Sequence, residues 1–215
     1  MQKAVFLTGE GDAYFDRNST EFVADGDPVI AALGNLSVNH QSILEVGCGC
    51  GGRTAALAQT YNAKGCGVDP SSKAIAHAAA RYPGVDFKVG TADSLPFPND
   101  QFDLVIFGFC LYLCDPDDYF GIISEANRVL RDRGFIVIFD FIADHPFKNI
   151  YHHKPGLHSY KMTWSNMFTC HPSYTLVARH YAEMRGKRTF GFNELVTVDI
   201  VRKDRGAAFP DRGNS

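Results

Sequence analysis

The stretch "ILEVGCGCGGRTAALA", residues 43–58, limits the fold more than any other part of the chain. A short apolar run enters a cluster of glycines, and the glycines lead into small residues suited to a helix. Gly47, Gly49 and Gly52 satisfy G-x-G-x-x-G, and Asp69 follows about twenty residues on. Glycines at this spacing let backbone approach a ligand at a helix N-terminus, and an acid on the next strand accepts from ribose hydroxyls. Two ligand classes share that geometry, so the pattern alone does not choose between them.

The rest of the chain reads as alternating strand and helix. "GCGVD" (65–69), "VDFKVG" (85–90), "FDLVIFGF" (102–109) and "FIVIFDF" (135–141) are bounded by turn residues or followed by helical patterns. Near-continuous apolar strands belong to a parallel sheet covered by helices. Asp115-Pro116 predicts a helix start, with Phe120, Ile123, Asn127 and Leu130 as its inward stripe, Val129 widening it and Gly134 as a stop. Residues 142–172 form a histidine- and aromatic-rich insertion. "YTLVARHYAEM" (174–184) and "ELVTVDIVRK" (194–203) alternate like an antiparallel pair joined through "RGKRTFGFN", and the tail 205–215 is expected to be flexible.

Composition excludes several classes. A net charge of −3 gives no general pull toward nucleic acid or anionic membrane. No run of 18 apolar residues is present, and the N-terminus lacks the long apolar segment of a signal peptide, so a cytoplasmic location is expected. Six cysteines without paired C-x-x-C motifs read as reduced thiols rather than a zinc site. His152, His153 and His158 lack a metal-ligand spacing, and no metal is expected.

Glu45 separates the ligand classes. A carboxylate two residues before the glycines would meet a pyrophosphate with like charge in a partly dry crevice. A ligand bearing an ammonium group suits the position better.

At these residues the chain resembles the class I S-adenosylmethionine-dependent methyltransferases, in particular the small type 11 group. The likeness lies in "ILEVGCGCGG" (43–52), "GVDPS" (67–71), "GTADSLPFPNDQFDLVIFGFCLYL" (90–113) and "EANRVLRDRGFIVIFD" (125–140), in that order. It covers roughly residues 40–204. It implies a single Rossmann-like α/β domain over 1–204, with a seven-stranded, mostly parallel sheet, an antiparallel C-terminal hairpin and helices on both faces. Residues 1–40 would form a cap over the site.

The resemblance also implies roles. Glu45 matches the acid near the methionine end of S-adenosylmethionine, and Gly47, Cys48 and Gly49 the loop beneath it. Asp69 matches the acid that binds the ribose hydroxyls, with Pro70 against the adenine. Asp93 matches the carboxylate near the adenine amino group, with Ser94 beside it. Phe107 and Gly108 match the backbone near the sulfonium. Tyr112 falls where relatives face the substrate, and Tyr14 is the aromatic expected to close over the cofactor, with Phe15 as the alternative.

Methyl transfer from a sulfonium is an in-line displacement that orientation can drive strongly, so a dedicated base is not obligatory. His145 and Tyr112 are the candidates for one. In the insertion, Tyr151, His153 and Tyr160 are candidates to bind the acceptor, with Trp164 and Phe168 packing; the alternative is a connector helix with core aromatics. The expected acceptor is a small polar metabolite, sugar-linked or a natural-product precursor, methylated on oxygen or nitrogen by a monomer or homodimer. The competing readings are a non-catalytic S-adenosylmethionine-binding module and an NAD-dependent oxidoreductase.

Overall fold

A computed structural model describes residues 2–19, 21–36, 38–182 and 195–211. Its frame is a seven-stranded sheet. In chain order the strands are β1 (Ser42–Val46), β2 (Lys64–Asp69), β3 (Asp86–Val89), β4 (Phe102–Gly108), β5 (Leu130–Phe141), β6 (Phe147–Ile150), β7 (His158–Lys161), β8 (Tyr174–Ala182) and β9 (Val196–Lys203). The helices are α1 (Gln2–Val5), α2 (Gly11–Asn18), α3 (Pro28–Gly34), α4 (Gly52–Tyr61), α5 (Ser72–Arg81), α6 (Tyr119–Val129) and α7 (Asn166–Thr169).

The large sheet runs β3-β2-β1-β4-β5-β9-β8. Strands β1 to β5 pair in parallel, whereas β9 is antiparallel to both β5 and β8. The connection between β8 and β9, including "RGKRTFGFN", lies outside the described residues, as do residues 212–215 of the tail. Chain order reverses across β1: β2 lies on one side and β4 on the other. Ligands of open α/β sheets bind outside the carboxyl ends of the strands at such a switch point.

The two faces of the sheet divide the apolar residues by strict alternation. Ile43, Leu104, Ile106, Val137 and Phe139 join Val29, Ala32 and Leu33 of α3 and Leu57 of α4 in one cluster. Leu44, Val46, Val105, Phe107, Ile136 and Ile138 join Ile122, Ala126 and Val129 of α6 and Phe168 of α7 in the other. Helices therefore cover both faces. Every position of β1 is buried, which explains its lack of polar alternation.

Two details differ from the expected pattern. A 3-10 turn at Pro116–Asp118 precedes α6, and Asp115 makes no side-chain capping bond to it. The helix then buries Ile122, Ala126 and Val129, while Phe120 is 84% exposed. The extra turn sets the helix phase, and apolar spacing alone did not reveal it. The insertion is an antiparallel hairpin, β6 with β7, followed by the single turn of α7, rather than a connector helix. Among the described residues, no helix is long and apolar enough to cross a membrane.

Candidate active site

A cavity of about 330 Å³ opens at the carboxyl ends of β1, β2 and β4. Its floor is the loop after β1. Gly47, Gly49 and Gly51 all have positive φ, at 75°, 51° and 77°. A Cβ on Gly47 would lie 2.5 Å from Cβ of Cys110, so no larger residue fits the floor there. Open space surrounds the corresponding position of Gly49. Gly51 and Gly52 serve packing, because a side chain would strike Phe87 at the first and Phe22 at the second.

Glu45 is 1% exposed and does not stand alone. Its Oε1 accepts from Nη1 of Arg53 at 2.6 Å, and its Oε2 from the Thr54 hydroxyl at 2.5 Å. Nε of Arg53 also donates to Asp27 at 3.0 Å, and the same Asp27 caps α3 by accepting from Val29 and Ile30. Burial raises the Glu45 pKa and the Arg53 guanidinium opposes it, with the net direction up. Two carboxylates around one guanidinium leave one excess negative charge, which still disfavours a phosphate. A Cβ on Gly108 would come within 2.5 Å of Glu45 Oε1, so a larger residue there would force the carboxylate to shift.

Asp69 ends β2 and reaches back to the floor. Its Oδ2 accepts from the Gly49 amide at 3.0 Å and its Oδ1 from the Ser71 amide at 2.9 Å. Burial raises its pKa against both hydrogen bonds. Pro70, Ala92 and Asp93 continue this wall, whereas Ser94 is exposed and does not line the cavity. Ser94 pairs with Thr91 across a tight turn that points it outward. The Asp93 carboxylate is held by the Lys3 ammonium, which also donates to Asp118 at 3.1 Å. Burial alone would raise the Asp93 pKa; the Lys3 ammonium and a hydrogen bond from the Thr91 side chain together outweigh it, and the net direction is down.

At the end of β4 the side chain of Phe107 is fully buried, packed toward Phe168, and contributes nothing to the cavity wall. Gly108, Phe109 and Cys110 form that wall instead. Tyr112 sits behind it, 8% exposed, with its hydroxyl 3.2 Å from that of Tyr14. Burial pushes the pKa of both phenols up, so neither is a base at neutral pH. Asp140, buried at the end of β5, accepts from the amides of Leu111 at 2.9 Å and Tyr112 at 3.3 Å. It thereby anchors the turn that carries Tyr112, and burial raises its pKa to about 7.

The N-terminal segment crosses the mouth. Gly11, Tyr14, Phe15 and Asn18 form one face of α2, and all four line the cavity together with Lys3, Phe6 and Phe22. Gly9, at φ 151°, supplies the bend between α1 and α2. Asp12 fastens α2 to the start of α5, accepting from the Ser71 hydroxyl at 2.7 Å and the Lys73 amide at 3.1 Å.

The residues expected from the insertion do not reach the cavity. The Tyr151 hydroxyl is taken up by Glu10 at 3.1 Å and Arg17 at 3.0 Å, behind the N-terminal cover. His153 is exposed and meets the Tyr151 ring edge-on. Tyr160 packs against the core under the hairpin, and His145 is exposed in a bend after β5. The hairpin folds against the N-terminal cover, and this diverts the insertion away from the cleft. Lys3, Arg53, Phe109 and Asp140 were not anticipated. Only Asp140 carried a signal, an acid within an apolar strand. Among the described residues, no three His, Cys, Asp or Glu side chains converge as a metal site would require.

Residues 43–134 match a family model described as a methyltransferase domain. Over 109 residues the chain is 36% identical to an uncharacterized methyltransferase of Synechocystis sp., covering 50% of this chain and 51% of that protein. Over 106 residues it is 37% identical to the fatty-acid O-methyltransferase of Mycolicibacterium smegmatis, covering 48% and 38%. The chain thus spans about half or less of the length of these relatives. The crystal structure of 1,6-didemethyltoxoflavin-N1-methyltransferase from Burkholderia thailandensis, with its substrate and S-adenosylhomocysteine bound, has a TM-score of 0.74 at 20% identity, over 94% of this chain and 88% of that one. At that identity the likeness concerns the fold. The glycine floor, the acids on successive strand ends and the matched model agree: residues 43–134 match a methyltransferase domain.

Proposed function

We propose that this protein binds S-adenosylmethionine in the cavity and transfers its methyl group to an oxygen or nitrogen of a small-molecule acceptor. The observation that carries the reading is Asp69, whose carboxylate is tied to the glycine floor through Gly49 and still faces the cavity. A carboxylate so placed has lone pairs left for two ribose hydroxyls. The excess negative charge around Glu45, Asp27 and Arg53 suits an ammonium and opposes a pyrophosphate. The names of the relatives, an O-methyltransferase and an N1-methyltransferase, support both acceptor atoms.

Bound there, S-adenosylmethionine would supply an electrophilic methyl group on a sulfonium. The chain's own part is orientation and exclusion of water. Gly47 and Gly108 bring backbone close to the reacting end, and Glu45 is held for an ammonium by Arg53 and Thr54. Pro70 and Ala92 flank the adenine side, where Asp93 is available to an amino group by sharing Lys3. Tyr14 and Phe15 close the cavity from above. A neutral Tyr112, bonded to Tyr14, acts as a hydrogen-bond partner rather than a base. His145 lies away from the cavity and takes no part in this reading.

Isothermal titration of the wild type and Asp69→Ala with S-adenosylhomocysteine and NAD tests the reading. Micromolar binding of S-adenosylhomocysteine, weakened at least tenfold in the variant, is expected from the loss of charge-assisted hydrogen bonds of about 1.5–3 kcal/mol each. Binding of NAD in its place would sink it.

A further inference from the structure

Phe109, the residue after β4, has a φ of 62°. A bulky side chain in the left-handed region is a genuine outlier, and such conformations persist where the surroundings over-determine them. Here they do. The Phe109 amide donates to the Phe139 carbonyl at 2.8 Å. Its ring centroid lies 5.0 Å from Tyr112, 5.3 Å from Phe139 and 5.0 Å from Phe141. Two cations hold those neighbours from behind: the Arg53 guanidinium over Phe139 at 5.2 Å and the Lys161 ammonium over Phe141 at 3.6 Å. Phe109 packs against both core clusters yet remains half-buried, and it lines the cavity. Glycine would take up this backbone without strain. The chain instead carries a fixed aromatic ring there, one residue beyond Gly108.

Resting on the methyl-transfer reading above, we propose that Phe109 is the platform on which the methyl acceptor lies. The acceptor then presents a flat π-face, an arene or heteroarene carrying the accepting oxygen or nitrogen. Tyr14 lies on the covering wall of the same cavity, and its hydroxyl is held 3.2 Å from that of Tyr112. The acceptor is thus gripped between a ring beneath and a phenol above, the phenol serving its polar edge. This narrows the broader expectation of a polar metabolite: the polar atoms belong at one edge of a planar, apolar body.

The test uses protein saturated with S-adenosylhomocysteine and two probes of matched size, phenol and cyclohexanol, titrated with ligand-observed NMR. A favourable ring pair is worth roughly a two- to twelve-fold gain in affinity beyond the area it buries. Phenol should bind the wild type more tightly than cyclohexanol by a factor in that range, with saturation transfer from the Phe109 ring. Phe109→Leu keeps the apolar volume but removes the ring, and should erase the preference in protein that still saturates with S-adenosylhomocysteine. Phe109→Gly, whose backbone suits the left-handed turn, should do the same and guards against misfolding of the leucine variant. Equal binding of the two probes, a preference that survives both substitutions, or no binding of phenol would overturn the proposal. Failure of the wild type to bind S-adenosylhomocysteine is a separate result: it would sink the cofactor reading and take this proposal with it.

Discussion

Arg53→Met should destabilise the protein strongly, and in a pH-dependent way. The guanidinium bridges Glu45, 1% exposed, and Asp27, 7% exposed. Removing it leaves two buried carboxylates without a cation, and breaking a buried pair in this way costs about 3–5 kcal/mol. The Arg53 side chain is 14% exposed toward the cavity, which places the expected cost at the lower end, about 3 kcal/mol. For a chain of this size that lowers Tm by about 6–12 °C. The pH dependence has a definite sign. Glu45 already titrates above its ordinary 4.5 because of burial, and losing Arg53 moves it higher still. A raised folded-state pKa leaves stability intact below the unfolded value and removes it as pH rises through the folded value. The Tm gap between variant and wild type should therefore be small near pH 4.5 and widen toward pH 8. Thermal melts followed by circular dichroism across that range measure it, and Glu45→Gln added to Arg53→Met should recover part of the loss. A gap under about 2 °C at pH 8, or one independent of pH, would refute the claim that this trio is a buried, charged unit.

Asp140→Asn tests the anchor beneath Tyr112. Burial raises the Asp140 pKa from 3.8 to about 7, so the wild type should lose stability relative to the variant as pH rises from 4 to 7, with no further change above; Tm against pH reads this directly. Asp12→Ala removes acceptors for the Ser71 hydroxyl and the Lys73 amide, so it should speed release of S-adenosylhomocysteine several-fold in stopped-flow chase experiments without altering the sheet's circular dichroism. Gly108→Ala places a methyl group 2.5 Å from Glu45 Oε1, and should weaken S-adenosylhomocysteine binding and lower Tm together, by about 1–3 kcal/mol in stability.

Much of the architecture was legible in the chain. Near-continuous apolar runs at 43–46, 102–107 and 135–139, broken only by Glu45 and Asp103, fit strands buried on both sides in a helix-covered parallel sheet, and the alternating pair at the C-terminus supplied the antiparallel edge. The glycine floor and Asp69 were legible for the same reason: a backbone that must turn with positive φ admits few residues, and an acid at a strand end has few reasons to be there. Local chemistry of this kind is written at fixed short spacing, so the sequence alone determined the fold class and the glycine floor of the cavity. Tertiary structure decided what covers and completes it. Lys3 meets Asp93 across 90 residues, Glu10 meets Tyr151 across 141, and Asp140 meets Leu111 across 29. No periodicity encodes such pairings, because they depend on where the N-terminal segment and the hairpin come to rest. That is why Tyr151, His153, Tyr160 and His145, plausible by composition, lie off the cavity, while Phe109, an ordinary aromatic at a strand end, stands on its wall. Its significance lies in a left-handed backbone and three neighbouring rings, which only the folded chain brings together.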